Sequence, residues 1–303
     1  SALPGECLLE TPDLDFIARG EPELTVRNLC RALRENTPPG DVSGVSFLAN
    51  GSPVHNPSAP FIRDLDTLPF PAYDLIRSDR YFLPFSHDRF LLVATGRGCP
   101  HSCAFCADHI YYGKRIRLRS PRRIVDELEH WNAALGVSHF LFWTSSFTLD
   151  RGHCRAVAEE IIARGLDVKW ICNSRVDDVD AELLSLFRDA GCVAIGYGVE
   201  SGDDRVLEKM GKKIDTKTTR EAVRLGKNAG LEVVAHVVLG FPSDTEASIR
   251  KTVRFVKSLD VDYAQFYCAV PFPGTKLYTE AGERGWLRAS GWREYEQNFC
   301  VLD

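Results

Sequence analysis

Three cysteines in one short stretch carry the clearest chemical signal in this sequence. Cys99, Cys103 and Cys106 have the spacing C-x3-C-x2-C and come just after an apolar run, residues 90–94, that is typical of a buried strand. Thiolates are soft ligands that suit an iron–sulfur cluster or zinc. Both centres normally take four protein ligands, whereas this loop supplies three. A cubane cluster held by three thiolates keeps one iron free to bind another molecule.

A structural zinc site is the alternative interpretation of the same loop. His109 would then be the fourth ligand, in the spacing C-x3-C-x2-C-x2-H. The chain would in that case be a zinc-stabilised, non-catalytic binding module. Packing alone explains three cysteines within eight residues poorly, although single cysteines are often core residues.

The bulk composition limits the class of protein. The chain has 303 residues, of which 44% are apolar and 26% charged, as is ordinary for a soluble globular protein. A net charge of -5 without a dense Lys/Arg stripe argues against a nucleic-acid partner. We find no signal peptide and no apolar run of membrane-spanning length. A reduced, cytoplasmic protein without membrane association is expected, and a disulfide is disfavoured there.

Strand and helix patterns alternate from about residue 89. Helix signals include Ser120 as N-cap before Pro121, and glycines such as Gly165 and Gly191 at helix ends. Six βα units in succession imply parallel strands, in either a partial (β/α)6 barrel or a doubly wound sheet. The predicted strands cover residues 90–96, 139–143, 168–172, 193–197, 232–239 and 263–268. The predicted helices begin at residue 121 and cover about 150–164, 180–190, 203–210, 216–229 and 244–259.

The first 88 residues do not resemble a complete domain. They predict a short strand at 16–19, a helix at 22–34 and a hairpin that turns at Asn50-Gly51. Four prolines between residues 56 and 73 exclude regular structure and predict an extended linker.

The cysteine loop resembles the cluster motif of the radical S-adenosylmethionine (SAM) superfamily, including the aromatic Phe105 before the third cysteine. The resemblance implies a [4Fe-4S] cluster held by Cys99, Cys103 and Cys106, whose free iron binds the amino and carboxylate groups of SAM. An electron from the cluster then cleaves SAM to methionine and a 5′-deoxyadenosyl radical. The resemblance also favours an α/β fold with a partial (β/α)6 TIM-like barrel.

Other stretches are similar to the class of this superfamily that carries a cobalamin-binding domain. They are residues 15–21, residues 64–71 and the turn at 271–275. Most of that domain, including the loop that would supply a cobalt-ligating histidine, is absent from this sequence, so either the chain has a shortened version or the sequence shows only part of the domain. The expected organisation is an N-terminal remnant with its Pro-rich linker at 1–88, the partial barrel at 89–270 and a short C-terminal extension at 271–303.

By the same resemblance, several strand-end residues would contact SAM. Arg175 would hold the methionine carboxylate, although an ion pair with Asp177 or Asp178 is the alternative. Glu200 would accept hydrogen bonds from the ribose or the amine, or else serve only as a helix-start carboxylate. The remaining expected SAM contacts are the backbone at Phe105, Val238 and Gly240, the side chain of Asn173, and Ser145.

Ser145 marks a departure from the class, which commonly has paired acidic residues after the second strand. Here the chain reads Thr144-Ser145-Ser146. Hydroxyls cannot neutralise the SAM ammonium as a carboxylate can. This departure weakens a direct transfer of methyltransferase chemistry to this chain.

For the substrate, only polar strand-end residues can be nominated. Cys268, Tyr267 and His236 are the candidate catalytic residues. Cys268 would donate a hydrogen atom to a product radical, or else be a buried inert thiol. His236 would be either a satisfied core histidine or a substrate contact. The other nominated residues are Trp143, Tyr197 and Gln265.

The sequence therefore predicts a radical SAM enzyme that abstracts hydrogen from a small polar, sugar- or cyclitol-like substrate. Because most of the cobalamin domain is absent, dehydration or deoxygenation in secondary metabolism is favoured, as in aminoglycoside-type diol dehydratases; epimerisation and rearrangement also fit. A cobalamin-dependent C-methyltransferase is the second hypothesis. Without a flavin or second cluster motif, electrons must come from a flavodoxin-type or dedicated reductase.

Overall fold

The structure, a computed structural model, describes residues 3–83, 86–289, 291, 294, 295 and 302. The strands are β1 (Phe16–Ala18), β2 (Val45–Ala49), β3 (Ser52–His55), β4 (Phe90–Ala94), β5 (Gly96–Arg97), β6 (Arg117–Leu118), β7 (His139–Trp143), β8 (Lys169–Ser174), β9 (Cys192–Glu200), β10 (Glu232–Leu239) and β11 (Tyr263–Cys268). The α-helices are α1 (Pro4–Glu10), α2 (Pro22–Arg34), α3 (Asp108–Tyr112), α4 (Pro121–Leu135), α5 (Arg151–Ala163), α6 (Ala181–Asp189), α7 (Asp204–Lys209), α8 (Thr216–Asn228), α9 (Glu246–Ser258) and α10 (Lys276–Glu283).

The chain folds into two compact units, each built from discontinuous segments. The first contains the residues up to Arg63, the segment Gly98–Arg115 and the described residues from Cys268 onward. The second contains Asp64–Arg97 and Ile116–Tyr267. None of the described helices is long and apolar enough to cross a membrane.

The first unit contains a small antiparallel sheet in the order β1-β2-β3. Asn50 and Gly51 join β2 to β3 with φ of 50° and 78°, the left-handed conformations that a tight hairpin turn needs. Helix α2 adds a small core with Leu29, Ala32 and Val45. The strand, helix and hairpin predicted for this segment are confirmed.

The second unit is a six-stranded sheet whose order, β4-β7-β8-β9-β10-β11, follows the chain. The pairs from β4 to β10 are all parallel. Helices α4, α5, α6 and α8 pack in chain order, each against the next. One continuous core joins these helices to alternate strand residues, such as Phe140, Ile195 and Val233. Helices that follow one another along one face distinguish the (β/α)6 arrangement from a doubly wound sheet.

Aromatic side chains form the centre of this core. Trp170 of β8 stacks on Phe142 of β7, with ring centroids 4.7 Å apart, and meets Phe187 of α6 edge-on at 5.1 Å. The indole Nε1 of Trp170 donates a hydrogen bond to the Ala190 carbonyl at 2.8 Å, so burial leaves its polar group satisfied. These contacts pack β7, β8 and α6 against one another.

The strands and helices predicted from residue 89 onward are found within a few residues of their predicted ends, apart from β9, which continues to Glu200. Ser120 caps α4 as expected by accepting a hydrogen bond from the Arg123 amide at 3.2 Å. Helix α9 begins two residues later than predicted because Thr245 and Ser248 form a reciprocal capping box. The short elements α1, α3, α10 and the β5–β6 ribbon were not predicted, since segments of two to eight residues show little periodicity.

The Pro-rich linker lies along α4 and β4 in the second unit. The guanidinium of Arg123 lies 3.9 Å from the ring centroid of Phe70, and the Tyr73 hydroxyl donates to the Leu92 carbonyl at 2.7 Å. These contacts hold the later part of the Pro-rich segment, from Asp64, against the second unit, and a short 3-10 turn at Leu65–Thr67 interrupts its extended course.

Beneath the linker, Arg119 and Glu127 form a buried ion pair. Their Nη1 and Oε2 atoms are 2.6 Å apart, and the Glu127 side chain is fully buried. Burial raises the pKa of Glu127, although Arg119 opposes this shift. Removal of one partner from a buried pair leaves an uncompensated charge, which is costly.

We expect Arg119→Met to lower the free energy of unfolding by about 3 kcal/mol, because Glu127 would stay buried without its partner. Arg122→Met, three residues along the chain at the start of α4, is the matched control, since Arg122 is largely exposed and lies 4.0 Å from Asp126. Urea unfolding followed by circular dichroism measures both. Equal midpoints for the two variants would contradict the role given to the buried pair.

Candidate active site

The cysteine loop belongs to the first unit and is held by its own backbone. Gly98 has φ of 88°, and a Cβ there would lie 2.3 Å from the Arg115 carbonyl oxygen, so glycine is required. The Cys99 amide donates to Gly113 at 3.3 Å, and the Cys106 amide donates to Cys103 at 3.2 Å. The loop is thereby folded back on the segment after α3.

The three cysteines of this loop form no disulfide and are half-buried. Burial, with smaller contributions from Cys103 and Cys99, raises the pKa of Cys106 to about 11, and a backbone hydrogen bond at Asp108 opposes the rise. In the part of the chain that the structure describes, no three His, Cys, Asp or Glu side chains stand in a metal-binding arrangement. The three cysteine thiols nevertheless suit a cationic iron centre. Burial disfavours their thiolate form, whereas a bound cation favours it.

In the second unit, polar side chains gather on the face of the sheet opposite the helices. Asn173 of β8 and His236 of β10 lie on this inner face, while their neighbours Cys172 and Val237 are in the helix-facing core. His236 Nε2 lies 3.3 Å from Asn173 Oδ1, and His236 Nδ1 lies 3.2 Å from the Tyr267 hydroxyl. His236 is therefore part of a hydrogen-bonded network.

Gly196 of β9 makes this network possible. In the sheet, β9 lies between β8 and β10, and Gly196 pairs with Asn173 on one side and Val234 on the other. A Cβ at this position would lie 2.2 Å from Asn173 Oδ1 and 2.7 Å from His236 Nε2. Because Gly196 has no side chain, the side chains of Asn173 on β8 and His236 on β10 contact each other across β9.

Gly198 does the same for a buried ion pair. Lys212 Nζ lies 2.7 Å from Glu200 Oε1, and a Cβ at Gly198 would lie within 2.7 Å of both groups. Glu200 ends β9 with φ of 60°, an uncommon conformation for a non-glycine residue, just where the pairing with β10 shifts register. Such strain is frequent at functional sites.

Arg175 makes the ion pair that was the alternative to SAM binding. Its guanidinium binds Asp177 through two hydrogen bonds, of 2.8 and 2.7 Å, and donates to the Lys212 carbonyl at 3.1 Å. The Arg175 amide donates to Ser146 Oγ at 3.1 Å. The hydroxyl run after β7 thus braces the loop that carries Arg175, and Ser145 lies half-buried in that run.

The turn after β10 is also held by a side chain. The amides of Gly240 and Phe241 donate to Asp244 Oδ2 at 3.1 and 3.2 Å. Gly240 has φ of 78°, and a Cβ there would meet nothing within 4 Å. Val238 is buried. The backbone at Gly240 therefore faces open space.

Three further nominated residues are placed as follows. Tyr197 lies on the helix-facing side in the core, so its nomination as a substrate contact is wrong. Its register is opposite to that of Gly196 and Gly198. Phe105 and Cys268 are half-buried in the first unit, Phe105 within the cysteine loop and Cys268 at the end of β11.

Lys212 and Asp244 were not recognised from the sequence as site residues. Lys212 lies in a loop between α7 and α8, where no periodic pattern applies, and yet its side chain is 10% exposed. A buried lysine twelve residues from its carboxylate partner has no local signal. Asp244 ends the turn Gly240-Phe241-Pro242-Ser243-Asp244 and could have been recognised as a turn-capping residue.

Comparison with known proteins defines the class. The Radical SAM superfamily model matches residues 93–256, more than half of the chain, so the chain belongs to the radical SAM superfamily. Membership implies a [4Fe-4S] cluster and SAM as cofactors. The resemblance drawn from the cysteine loop is confirmed.

Relatives narrow the comparison. An uncharacterised methyltransferase of Pyrococcus horikoshii is 34% identical over 96% of this chain and 63% of its own length. An anaerobic magnesium-protoporphyrin IX monomethyl ester cyclase of Cereibacter sphaeroides is 32% identical over 91% of this chain and 46% of its own. The chain thus spans about half to two thirds of these relatives.

The fold is that of cobalamin-dependent members. The radical SAM methyltransferase TsrM from Kitasatospora setae, solved with cobalamin and a [4Fe-4S] cluster, matches 95% of this chain and 57% of its own, with a TM-score of 0.77 and 20% identity. The cobalamin-dependent radical enzyme OxsB matches 92% of this chain and 40% of its own, with a TM-score of 0.70 and 20% identity.

The environment of His236 leads to a titration experiment. Burial lowers the pKa of His236, Glu200 opposes this shift, and Lys212 adds to it. Glu200→Gln should lower the His236 pKa further, whereas Lys212→Met should raise it. Imidazole ¹⁵N shifts followed by NMR between pH 4 and 8 measure both changes. Shifts of the same sign in the two variants would contradict this arrangement.

Proposed function

We propose that this chain is the catalytic part of a cobalamin-dependent radical SAM methyltransferase. The cysteine loop Cys99–Cys106, set on the fold of this superfamily, carries the proposal. Support comes from the likeness to TsrM and OxsB and from relatives that are methyltransferases. Further support comes from a bacteriochlorophyllide C-12(1)-methyltransferase and a hopanoid C-2 methylase, at 26% and 24% identity.

Dehydration, the outcome favoured from the sequence, receives no support from these relatives. That preference rested on the shortness of the segment before residue 88. The chain covers 63% and 46% of its first two relatives, so a short segment says nothing about the presence of a cobalamin domain in the whole protein. Ring formation is the second candidate, since a cyclase is 32% identical.

In this proposal, Cys99, Cys103 and Cys106 hold the cluster, and their three thiols come together around it when it binds. When bound, the cluster supplies the electron that cleaves SAM. Iron is retained only if each thiol loses its proton, and three thiolates from one loop leave one iron without a protein ligand.

The strand ends of the second unit orient SAM. Arg175 binds the methionine carboxylate after exchanging Asp177 for it, which a guanidinium fork can do with both hydrogen bonds kept. Glu200, neutralised by Lys212, accepts hydrogen bonds from the ribose or the amine. Five positions complete the proposed SAM contacts: Phe105, Ser145, Asn173, Val238 and Gly240.

A second set of components lies beyond these residues. We propose that cobalamin is bound by a domain of the whole protein, and that a flavodoxin-type or dedicated reductase supplies electrons. Three residues are candidates for the steps after hydrogen abstraction. Cys268 would donate a hydrogen atom, and the Tyr267 hydroxyl and the His236 imidazole would act as members of the hydrogen-bonded network.

Metal analysis tests the cluster assignment. Cys103→Ser should lose most of its iron after anaerobic reconstitution, because two thiolates hold a cubane poorly, and it should form no 5′-deoxyadenosine from SAM with dithionite. Cys30→Ser is the matched control, since Cys30 is an exposed single cysteine on α2. One zinc per chain in place of iron would instead support the zinc-stabilised binding module.

Labelled SAM tests the reaction outcome. The whole protein with cobalamin and [methyl-¹⁴C]SAM, incubated with a metabolite extract of its own organism, should transfer label to a small molecule. Label transfer should vanish with Cys103→Ser. Formation of 5′-deoxyadenosine without label transfer would exclude methyl transfer and favour ring formation or dehydration.

A further inference from the structure

The inner face of the six-stranded sheet is divided into an apolar half and a polar half. Leu92 of β4 pairs with Leu141 of β7, and Ala94 pairs with Trp143. Their neighbours Val93 and Phe142 belong to the helix-facing core. The side chains of the two pairs just named, Leu92–Leu141 and Ala94–Trp143, therefore lie on the inner face. Strands β8, β10 and β11 supply the polar network instead.

Large apolar side chains in the apolar half are exposed. Trp143 is 53% exposed and Leu92 is 39% exposed, although both lie within the central sheet of this unit. Apolar side chains of this size stabilise a protein when buried, so two of them exposed on one face suit contact with an apolar ligand. A flat indole is well suited to a planar partner.

The polar half has a defined hydrogen-bond direction. The Tyr267 hydroxyl donates to Gln265 Oε1 at 2.7 Å, so the His236 Nδ1 contact with the same hydroxyl requires Nδ1 to carry a proton. Burial lowers the pKa of His236, which makes the ring neutral, with Nε2 as acceptor. The amide NH₂ of Asn173 then faces Nε2, with the amide turned over.

This direction ends at Gln265. Its carbonyl oxygen accepts from Tyr267, and its side chain is exposed on β11. Its amide NH₂ group supplies two further donors, which find no acceptor among the described residues. A ligand group that meets Gln265 must accept hydrogen bonds through a carbonyl, carboxylate or hydroxyl oxygen.

From these two halves we infer that the substrate is an amphipathic molecule with a planar apolar body and an oxygen acceptor. The apolar body lies against Trp143 and Leu92, and the acceptor binds Gln265, which Tyr267 and His236 orient. This inference rests on the proposed function, because it names the substrate class of the same site. It replaces the small sugar- or cyclitol-like substrate, whose hydroxyls find no partner along the apolar half.

A probe series tests this inference by direct binding to the anaerobically reconstituted chain with SAM. The probes are 2-acetylnaphthalene, 2-isopropylnaphthalene of similar shape but without the oxygen, and myo-inositol. Affinities from saturation-transfer NMR should fall in that order, with about a fivefold preference for the ketone, as one neutral hydrogen bond implies. Binding of inositol as tight as that of the ketone would overturn the inference.

Variants separate the two halves. Trp143→Ala should weaken both naphthalenes about tenfold, as loss of a large apolar contact implies. Phe266→Ala is the matched control, because Phe266 is 47% exposed but lies in the opposite register of β11 from Gln265 and Tyr267. Equal effects of the two substitutions would overturn the assignment of the apolar half.

Gln265→Leu should abolish the preference for the ketone and leave the affinity for 2-isopropylnaphthalene unchanged. Tyr267→Phe, which keeps the ring and removes the orienting hydroxyl, should reduce the same preference. A ketone preference that survives both changes would overturn the polar half. Circular dichroism establishes that each variant is folded.

Failure of the proposed function is detected separately on the same preparations. Iron content and 5′-deoxyadenosine formation report on the cluster and on SAM cleavage, whereas probe affinity depends on neither. Chains that cleave SAM but bind the probes without the expected order refute the substrate class alone. Chains without iron that still follow the order refute the radical chemistry and leave the binding site.

Discussion

A parallel sheet whose core lies on one face is the constraint on which the second unit depends. Residues such as Phe140, Ile195 and Val233 alternate along their strands and pack against helices that follow one another in chain order. Because successive side chains point to opposite faces, this packing assigns every second residue to the inner face. The helices thus cover one face of the sheet, and the polar side chains of Asn173 and His236 lie on the other.

On that inner face, polar and charged groups fit because two positions of β9 are glycines and carry no side chain. Gly196 leaves room for Asn173 to reach His236, and Gly198 leaves room for Lys212 to reach Glu200. Buried charged groups are tolerable only with partners, and here the partners come from separate parts of the chain. The two glycines of β9 therefore leave the space in which the Asn173–His236 and Lys212–Glu200 contacts form.

The two units supply different chemistry. The first carries three thiols in one loop, which is set by the hydrogen bond from the Cys99 amide to the Gly113 carbonyl and by the left-handed backbone of Gly98. The second carries ion pairs and a hydrogen-bonded histidine at its strand ends. In the radical SAM superfamily, to which the chain belongs, a cofactor performs the difficult bond cleavage and the protein binds and orients its reactants.

The amino-acid sequence by itself determined the family and the order and approximate limits of most strands and helices from residue 89. These depend on local spacing, on period-two and period-3.6 apolar patterns and on capping residues, all of which act over a few positions. Only the tertiary structure decided that Arg175 pairs with Asp177, that Tyr197 faces the core, and that Lys212 neutralises Glu200. Those contacts depend on strand register and on loops that join distant residues, and no local pattern encodes either.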